Sequence, residues 1–547
     1  MHDRLELAPS EKDSINRAKR SELKSITVKR NVAIVGVTTG LSACLGFVVH
    51  VLVARYFGAS SALDAFLVAF VLLYFIQNQF QAGDLLNSSF IPVYNLALCE
   101  SEEKAAKFFN TIILSMWLMF SILSILCLIL APFLIQLAGH GLPSQEKILT
   151  VRIFRLLALV LPIVGMTGVL ASLMRAEGRF FAPAAGPLVI NLLVIFMIFG
   201  FSTKYGIMSY VLGWLLGCIG QFAIVIKPLF KTPGFSLRNI SWKCNYVRGF
   251  FKRIGLLILD VPIGLILLAL ERSFGSALGP GTVSHLNYAR VVYTAPLNLL
   301  AVPIQTVMFS KFSQLAALGN HAELRDHVEK TLRITVLLIL PVIAFVIFFR
   351  QEIVCVLFER GSFSRLDTAR TSTLLFYFGI SMLAVGIWWL FRQVSYALGD
   401  MISPLLAGLV GLIIYFIGSQ LFIDKMGASA LALNWAVSFF LSDLLLGGIL
   451  VHKLGGRLNR RMIFFSFKIG VATCVVFLFL QASTNFYPEA HRSTWSILSY
   501  LLRYGLASII LYIFAAWLMR IEEVKDVAIL SKREISKFVR SAGENNV

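Results

Sequence analysis

The sequence is poor in charged residues for its length. Of its 547 residues 14% are charged and 58% are hydrophobic, whereas soluble chains carry about 25% charged residues. Its seven cysteines are scattered, and none pairs with another at the spacing of a metal-binding or redox motif. The composition therefore excludes an ordinary soluble protein, and the cysteine spacing predicts neither a disulfide framework nor a metal site. No cofactor is predicted.

The sequence consists largely of long apolar runs with few charged residues. They recur from end to end, and the mean hydropathy is +0.80. A helix of about 20 apolar residues crosses the roughly 30 Å of bilayer hydrocarbon. The runs are too long for barrel strands and do not alternate in polarity. We therefore predict an all-α integral membrane protein with about 14 transmembrane helices, arranged as two six-helix lobes and a C-terminal helix pair.

The positions of the apolar runs predict six segments. They are a cytoplasmic basic tail at 1–31, an N-terminal transmembrane lobe at 32–231, a basic cytoplasmic linker at 232–253, a C-terminal transmembrane lobe at 254–452, a final helix pair with a basic loop at 453–520, and a cytoplasmic tail at 521–547. The second, seventh and ninth spans are predicted over residues 65–90, 254–278 and 332–357. Two lobes joined by a basic linker are typical of transporters.

Basic residues between the spans predict the orientation. The formal net charge is +20, and one set of alternate loops holds about 34 Lys and Arg against about 12 in the other set. Because cytoplasmic loops carry the excess of Lys and Arg, both termini are predicted to be cytoplasmic. The positive charge thus indicates contact with an anionic membrane surface, and a nucleic-acid partner is not expected.

Ionisable residues inside the spans are candidate functional groups, because burying them in lipid is costly. They are His50, Asp260, Glu271, Arg272, Arg290, Arg392, Asp443 and Arg503. Glu271, Arg272 and Arg290 lie near the turn between the seventh and eighth spans, where two arginines could hold an anionic group. The alternative is an internal Glu–Arg pair that fixes helix packing. Asp64, Asp260 and Asp443 are candidates for binding a coupling ion, and Arg503 is expected to snorkel.

Motifs of common enzyme classes are missing. The sequence contains no GxSxG, HExxH or P-loop motif, and its outer loops are too short to carry a glycan polymerase site. A transporter is therefore favoured over an enzyme. A membrane scaffold without transport activity remains an alternative.

Four stretches carry a resemblance to a known family. They are Ala54-Arg55-Tyr56-Phe57-Gly58 with Asp64-Ala65-Phe66 and Phe90-Ile91-Pro92; Gly281-Thr282-Val283-Ser284 with Leu286-Asn287-Tyr288-Ala289 and Pro296; Leu357-Phe358-Glu359-Arg360-Gly361-Ser362-Phe363 with Asp367-Thr368; and Tyr396-Ala397 with Asp400 and Ser403-Pro404. In order and spacing they resemble the MurJ (MviN) family, flippases of lipid-linked peptidoglycan precursors in the MOP exporter superfamily.

This resemblance implies two lobes around a cationic cavity that takes the pyrophosphate-sugar head of an undecaprenyl-linked precursor. It also implies a groove near the last two helices for the lipid tail. Family residues that match this sequence are Arg55, Asp64, Glu271, Arg272, Arg360 and Asp367. Where the family carries arginines in the first span, this chain has Ala43 and Val49. A family arginine in the second span aligns near Gln77 of this chain. Arg290 is displaced by one residue from the family's arginine in the eighth span.

The predicted function is the movement of an undecaprenyl-pyrophosphate-linked peptidoglycan precursor, lipid II, from the inner to the outer leaflet by alternating access. The candidate substrate-binding residues are Arg55, Asp64, Gln77, Glu271, Arg272, Arg290 and Arg392. Gln79 and Asn287 could also contact a different head group. The alternatives are a flippase for another lipid-linked envelope polysaccharide and a cation-coupled small-molecule exporter. The expected location is the bacterial inner membrane, with membrane lipids, an undecaprenyl-linked saccharide and proteins of cell-envelope synthesis as candidate partners.

Overall fold

The structure is a computed structural model that describes residues 35–77, 84–226, 240–242, 244–257, 261–455, 460–483, 494–521 and 523–524. Within these ranges the regular elements are α-helices. The first half contains α1 Val35–Phe57, α2 Ser61–Gln77, α3 Asp84–Glu100, α4 Glu102–Ala138, α5 Ser144–Ala158, α6 Leu161–Ala176, α7 Phe181–Tyr205, α8 Met208–Ile226 and α9 Asn245–Leu257. The second half contains α10 Val261–Ala277, α11 Thr282–Ala317, α12 His321–Phe348, α13 Arg350–Phe358, α14 Arg365–Ala397, α15 Ile402–Met426, α16 Ala428–Lys453, α17 Arg460–Ser483 and α18 Thr494–Leu518.

Helices long and apolar enough to cross a membrane dominate the part of the chain that the structure describes. Twelve spans meet that standard, with α5 and α6 forming one of them. Their apolar side chains point outward as well as inward, which is the pattern of helices solvated by lipid. The predicted class, an all-α integral membrane protein, is confirmed, and the predicted number of about 14 spans was approximate.

Two predicted spans have wrong boundaries. The span predicted over 65–90 contains the end of α2 at Gln77 and the start of α3, which continues to Glu100; residues 78–83 lie outside the described residues. The span predicted over 332–357 starts earlier, at His321, because the Asn320 side chain accepts a hydrogen bond from Glu323 N at 3.2 Å and caps α12 in the polar loop. Hydropathy marks the lipid-facing part of a helix and misses such polar ends.

The seventh span also differs from its predicted range of 254–278. The amphipathic α9 ends at Leu257, and α10 begins at Val261. Val247, Phe250 and Ile254 form the buried face of α9 at helical spacing. Residues 258–260 lie outside the described residues, so the role of Asp260 as a candidate for binding a coupling ion remains a prediction.

The chain divides into two compact units. Unit 1 comprises Met1–Val53, Ala69–Leu134 and Ile148–Val261, and unit 2 comprises Ala54–Val68, Ile135–Lys147 and Pro262–Val547. In unit 1, α8 packs closely along α7, since a Cβ on Gly213 would lie 2.8 Å from Val194 Cα. Glycine at this position therefore lets the two helix backbones approach each other.

Unit 2 contains the second half of the chain together with two short segments of the first half. Its last helices, α17 and α18, pack on α12 and α13 around Phe349, Ile469 and Tyr500. The Tyr512 hydroxyl donates to Leu337 O at 2.9 Å. Just beyond α18, Glu523 pairs with Arg333 of α12, with 2.7 Å between Oε1 and Nε. The final helix pair is thus attached to unit 2 by apolar packing and one buried ion pair.

Candidate functional site

The N-terminal end of α11 is capped by an acid from the first half of the chain. Asp64, which is 1% exposed, accepts hydrogen bonds from Gly281 N at 2.6 Å, Ser284 N at 2.7 Å and Ser284 Oγ at 2.6 Å. The first N–H groups of a helix have no partner within the helix, and a carboxylate near them is favoured by the helix dipole. The carboxylate of Asp64 therefore satisfies this helix end.

Parts of three of the four motifs that carry the family resemblance meet at the same end of α11. Tyr288 donates its hydroxyl proton to Gly58 O at 2.8 Å, and Ser362 N donates to Arg55 O at 2.8 Å. A Cβ on Gly361, whose φ is 63°, would overlap Arg55 O. Only glycine fits such a left-handed position in close contact with backbone. These motif residues thus position the segments around α11.

His285 and Asp367 form a further contact of this end. Their side chains meet at 2.9 Å between Nε2 and Oδ1, and Asp367 also completes a capping box with Ser364 at the start of α14. The LFERGSF…DT pattern is therefore explained locally by the backbone of Gly361 and the side chain of Asp367. Arg360 is exposed and donates to Val356 O.

Arg272 links α10 to the first turns of α11. It is 3% exposed and donates from Nη1 to Val283 O at 3.0 Å and from Nη2 to Asn287 Oδ1 at 2.9 Å. Its planar guanidinium can reach a backbone carbonyl and a side-chain amide simultaneously, which an ammonium group does less well. Arg272 is therefore fixed by its neighbours on α11.

Glu271 and Arg290 form a buried ion pair further along α11. Glu271 is fully buried, and its Oε2 accepts a hydrogen bond from Arg290 Nη2. Its other oxygen, Oε1, lies 3.9 Å from Arg272 Nη1 and has no hydrogen-bond partner within the described residues. The structure thus joins Glu271, Arg272 and Arg290 into one cluster, and their role in binding an anionic group remains a prediction.

Aromatic rings fix the orientation of Arg290. Its guanidinium carbon lies 3.9 Å from the ring centroid of Trp435 and 5.2 Å from that of Phe378. Cation–π contacts of this kind stabilise a guanidinium over a ring face. Nη1 lies 3.4 Å from the Tyr293 hydroxyl, and the side chain remains 16% exposed. Arg290 therefore keeps part of its side chain accessible, unlike Arg272.

Polar side chains continue along α11 at helical spacing. Asn287, Arg290, Thr294, Asn298 and Thr306 are partly or fully exposed, although Tyr293 and Leu297, which lie between them along the helix, are buried. We call these five residues the polar face of α11. Exposed polar groups at membrane depth indicate water or a ligand beside them. The sequence analysis missed Thr294, Asn298 and Thr306, although their three- to four-residue recurrence, interrupted at Val302, was a usable signal.

The remaining predicted residues lie elsewhere. Arg55 is exposed, 5.8 Å from the Tyr56 ring centroid, and Arg392 is partly exposed, 6.0 Å from that of Tyr396. Asp443 is 6% exposed, and neither of its carboxylate oxygens has a hydrogen-bond partner among the described residues. Of the other candidates, His50 is partly buried and Arg503 donates to Ser499 O, whereas Asp260, Gln79 and the side chain of Gln77 lie outside the described residues.

Comparison with known proteins decides the family. The family model "Lipid II flippase MurJ" matches residues 53–521. The chain belongs to the MurJ family. A probable lipid II flippase MurJ of Buchnera aphidicola is 26% identical over 82% of this chain and 88% of its own length. The lipid II flippase MurJ of Thermosipho africanus is 27% identical over 74% of this chain and 81% of its own length.

Solved structures show the same fold. A lipid II flippase MurJ in an inward closed conformation covers 91% of this chain and 100% of its own, with a TM-score of 0.73 and 24% identity. An inward-facing multidrug resistance MATE transporter of the MOP superfamily covers 76% and 94%, with a TM-score of 0.65 and 13% identity. The predicted MurJ resemblance is thus confirmed, and the chain is a multi-pass membrane protein whose MurJ relatives are named as lipid II flippases.

Proposed function

We propose that this MurJ family chain moves lipid II, an undecaprenyl-diphosphate-linked peptidoglycan precursor, from the inner to the outer leaflet by alternating access. The observation that carries the proposal is Arg290, a partly exposed cation on the polar face of α11 in a chain of this family. A diphosphate cannot enter hydrocarbon unaided, because desolvating its charge is too costly. A membrane-depth guanidinium offers it charge-assisted hydrogen bonds.

The contacts divide the roles of the cluster. Arg290 binds the diphosphate, whereas Arg272 holds α10 against α11. Asn287, Thr294 and Asn298 line the same face and supply hydrogen bonds to sugar or peptide groups. Arg55, Gln77 and Arg392 remain further candidates for the head group. Asp64, Asp260 and Asp443 remain candidates for a coupling ion, although the oxygens of Asp64 already accept three hydrogen bonds.

The orientation is part of the proposal. The protein lies in the bacterial inner membrane. Both of its termini face the cytoplasm, on the same side as the basic linker at 232–253. The support is the excess of about 34 Lys and Arg over about 12 in alternate loops. Single cysteines at Ser236 and Arg365 should differ in labelling by an impermeant reagent added outside. Equal labelling would contradict this topology.

A second substrate is favoured by one specific observation. Ala43 and Val49 stand where the family resemblance implies arginines in the first span. Without an arginine at such a position, the head group forgoes a charge-assisted hydrogen bond that is worth roughly 1.5–3 kcal/mol. Another lipid-linked envelope polysaccharide with a less charged head group therefore remains the alternative. Proteins of cell-envelope synthesis remain candidate partners.

Complementation tests the proposal directly. The wild-type gene is expressed in a bacterial cell depleted of its own lipid II flippase, together with Arg290→Glu and the control Lys311→Glu. Lys311 lies near the end of the same helix and pairs with Glu323 at 3.5 Å, away from the polar face. We expect wild type and the control to restore growth and Arg290→Glu to fail at equal membrane abundance. Failure of the wild type, with the protein present in the membrane, would favour the other glycan.

A further inference from the structure

We infer that Glu271 acts as a built-in counter-ion that weakens the hold of Arg290 on the diphosphate head group and thereby speeds its release. The inference rests on the proposed function and assigns a role to an acid that does not touch the substrate. It explains why a head-group site should contain a fully buried carboxylate, which by itself repels a diphosphate.

The geometry of the pair is the first support. Arginine and carboxylate can form two parallel hydrogen bonds, which is the strong arrangement of such a pair. Here one bond joins Arg290 Nη2 to Glu271 Oε2. Glu271 Oε1 and Arg290 Nε, both buried, have no hydrogen-bond partner within the described part of the chain. A buried pair stabilises a fold only when its geometry is good and its remaining atoms are satisfied.

Packing between α10 and α11 does not need this pair. Arg272, the neighbouring residue on α10, already joins the two helices through Val283 O and Asn287 Oδ1. The role left for the Glu271–Arg290 pair is electrostatic. It keeps the Arg290 charge neutralised at membrane depth when no substrate is present, which limits the cost of burying a lone cation.

An incoming phosphate does not have to displace Glu271. Arginine has five N–H donors in a planar fork, and Glu271 occupies one of them through Nη2. Trp435 and Phe378 cover the face of the guanidinium, so a phosphate reaches it from its edge. Both anions then lie on one guanidinium a few ångströms apart. Their repulsion in a low-dielectric site opposes binding and favours release.

Arg333 and Glu523 provide a matched reference pair. Glu523 is 6% exposed and lies 2.7 Å from Arg333 Nε, so it too is a buried Glu–Arg pair of unit 2. It joins the segment after α18 to α12 and lies off the polar face of α11. Neutralising Glu523 therefore reports the general effect of removing a buried acid.

The test measures binding of undecaprenyl diphosphate and of lipid II to purified protein in nanodiscs, and flipping in vesicles. Glu271→Gln should tighten binding of both lipids about tenfold and slow flipping under saturating substrate. Glu271→Asp, which withdraws the carboxylate but keeps its charge, should tighten binding less and covers the case in which Glu271→Gln does not fold. Glu523→Gln should leave affinity unchanged.

The double variant Glu271→Gln/Arg290→Gln separates the two explanations of a tighter complex. If Glu271 acts through Arg290, the gain in affinity disappears in the double variant. Unchanged or weaker binding by both single Glu271 variants, with measurable wild-type binding, would overturn the inference and make the pair structural. If the wild type binds neither lipid, the proposed function itself fails, which is a different and recognisable result.

Discussion

Two regions of α11 differ in how completely the charged side chains beside them are hydrogen-bonded. At the N-terminal end of α11, the carboxylate of Asp64 accepts three hydrogen bonds, and Arg272 donates two. Further along, Arg290 and Glu271 share one hydrogen bond, and the Arg290 side chain is 16% exposed. The first region uses its charges to satisfy backbone and side-chain groups. The second region leaves hydrogen-bond donors of Arg290 for a ligand.

This difference teaches that a charged residue at membrane depth is not by itself a binding residue. Arg272 and Arg290 qualify by residue type and by position within a predicted span, and Asp64 was a candidate through the family resemblance. Their partners separate them, because a group whose hydrogen bonds are already made gains little from a ligand. The two regions of α11 should therefore respond differently to substitution.

The largest effect is expected at Asp64. Asp64→Ala removes three hydrogen bonds made to a carboxylate and leaves the first N–H groups of α11 unsatisfied, so we expect a loss of about 3–5 kcal/mol in the free energy of unfolding. Asp64→Asn should lose less, since one side-chain oxygen still accepts. Thermal unfolding in detergent measures both. The control is Asp326→Ala, because that side chain is 73% exposed. Equal stability of the two alanine variants would show that the cap does not stabilise the fold.

Effects of intermediate size are expected from lysine substitutions at Arg272 and Arg290, and they should differ between the two residues. Lysine keeps the charge but cannot span two acceptors with a planar fork. Arg272→Lys should therefore lower the free energy of unfolding by roughly 1–3 kcal/mol, because Val283 O and Asn287 Oδ1 cannot both be kept. Arg290→Lys should change stability less and lower transport more per molecule of folded protein. Thermal unfolding and flipping assays on both variants give a crossed pattern. The comparison fails if both variants lose mainly stability.

The sequence predicted one level of this architecture well. Apolar runs and the four motifs predicted the helical membrane class and the MurJ family, because lipid burial forces long apolar helices. The same runs could not predict the ends of α3 and α12, which lie in polar surroundings. Nor could they show which of two adjacent charged residues, Glu271 and Arg272, would face Arg290, since one residue corresponds to about 100° of helix rotation.

Glycines show the same limit at the motif level. Gly281 and Gly361 stood out in the resemblance, but only the structure shows that each supplies a left-handed backbone, with φ of 83° and 63°. A Cβ on Gly281 would lie 2.5 Å from Ala59 O. Such approaches join segments hundreds of residues apart, and no local pattern encodes them. The same holds for Trp435, whose contact with Arg290 comes from a different helix.

The smallest effect concerns a second capping carboxylate, which lies outside the membrane spans. Asp400 Oδ1 accepts from Ile402 N at 3.1 Å and Ser403 N at 3.0 Å at the start of α15, and Oδ2 lies 2.5 Å from Lys453 Nζ. Burial alone would raise the pKa of Asp400, but the hydrogen bonds from Lys453 and Ser403 hold that pKa below its ordinary value. Because the pKa is lower in the folded protein, the stabilisation is complete above the pKa of the unfolded chain, about 4, and is lost as the pH falls through the folded value.

Measurements of stability between pH 3 and pH 7 test the contribution of the Asp400 carboxylate. Asp400→Asn should cost less than Asp64→Ala at pH 7, because the Lys453 side chain is 42% exposed and water screens the ion pair. The difference in melting temperature between the wild type and Asp400→Asn should shrink below about pH 4, where the wild-type carboxylate becomes protonated. A difference that stays constant to pH 3 would mean that the Asp400 charge contributes nothing. In that case the difference between the caps made by Asp64 and Asp400 would rest on hydrogen bonding alone. The larger effect expected at Asp64 would then have to come from burial of the unsatisfied N–H groups.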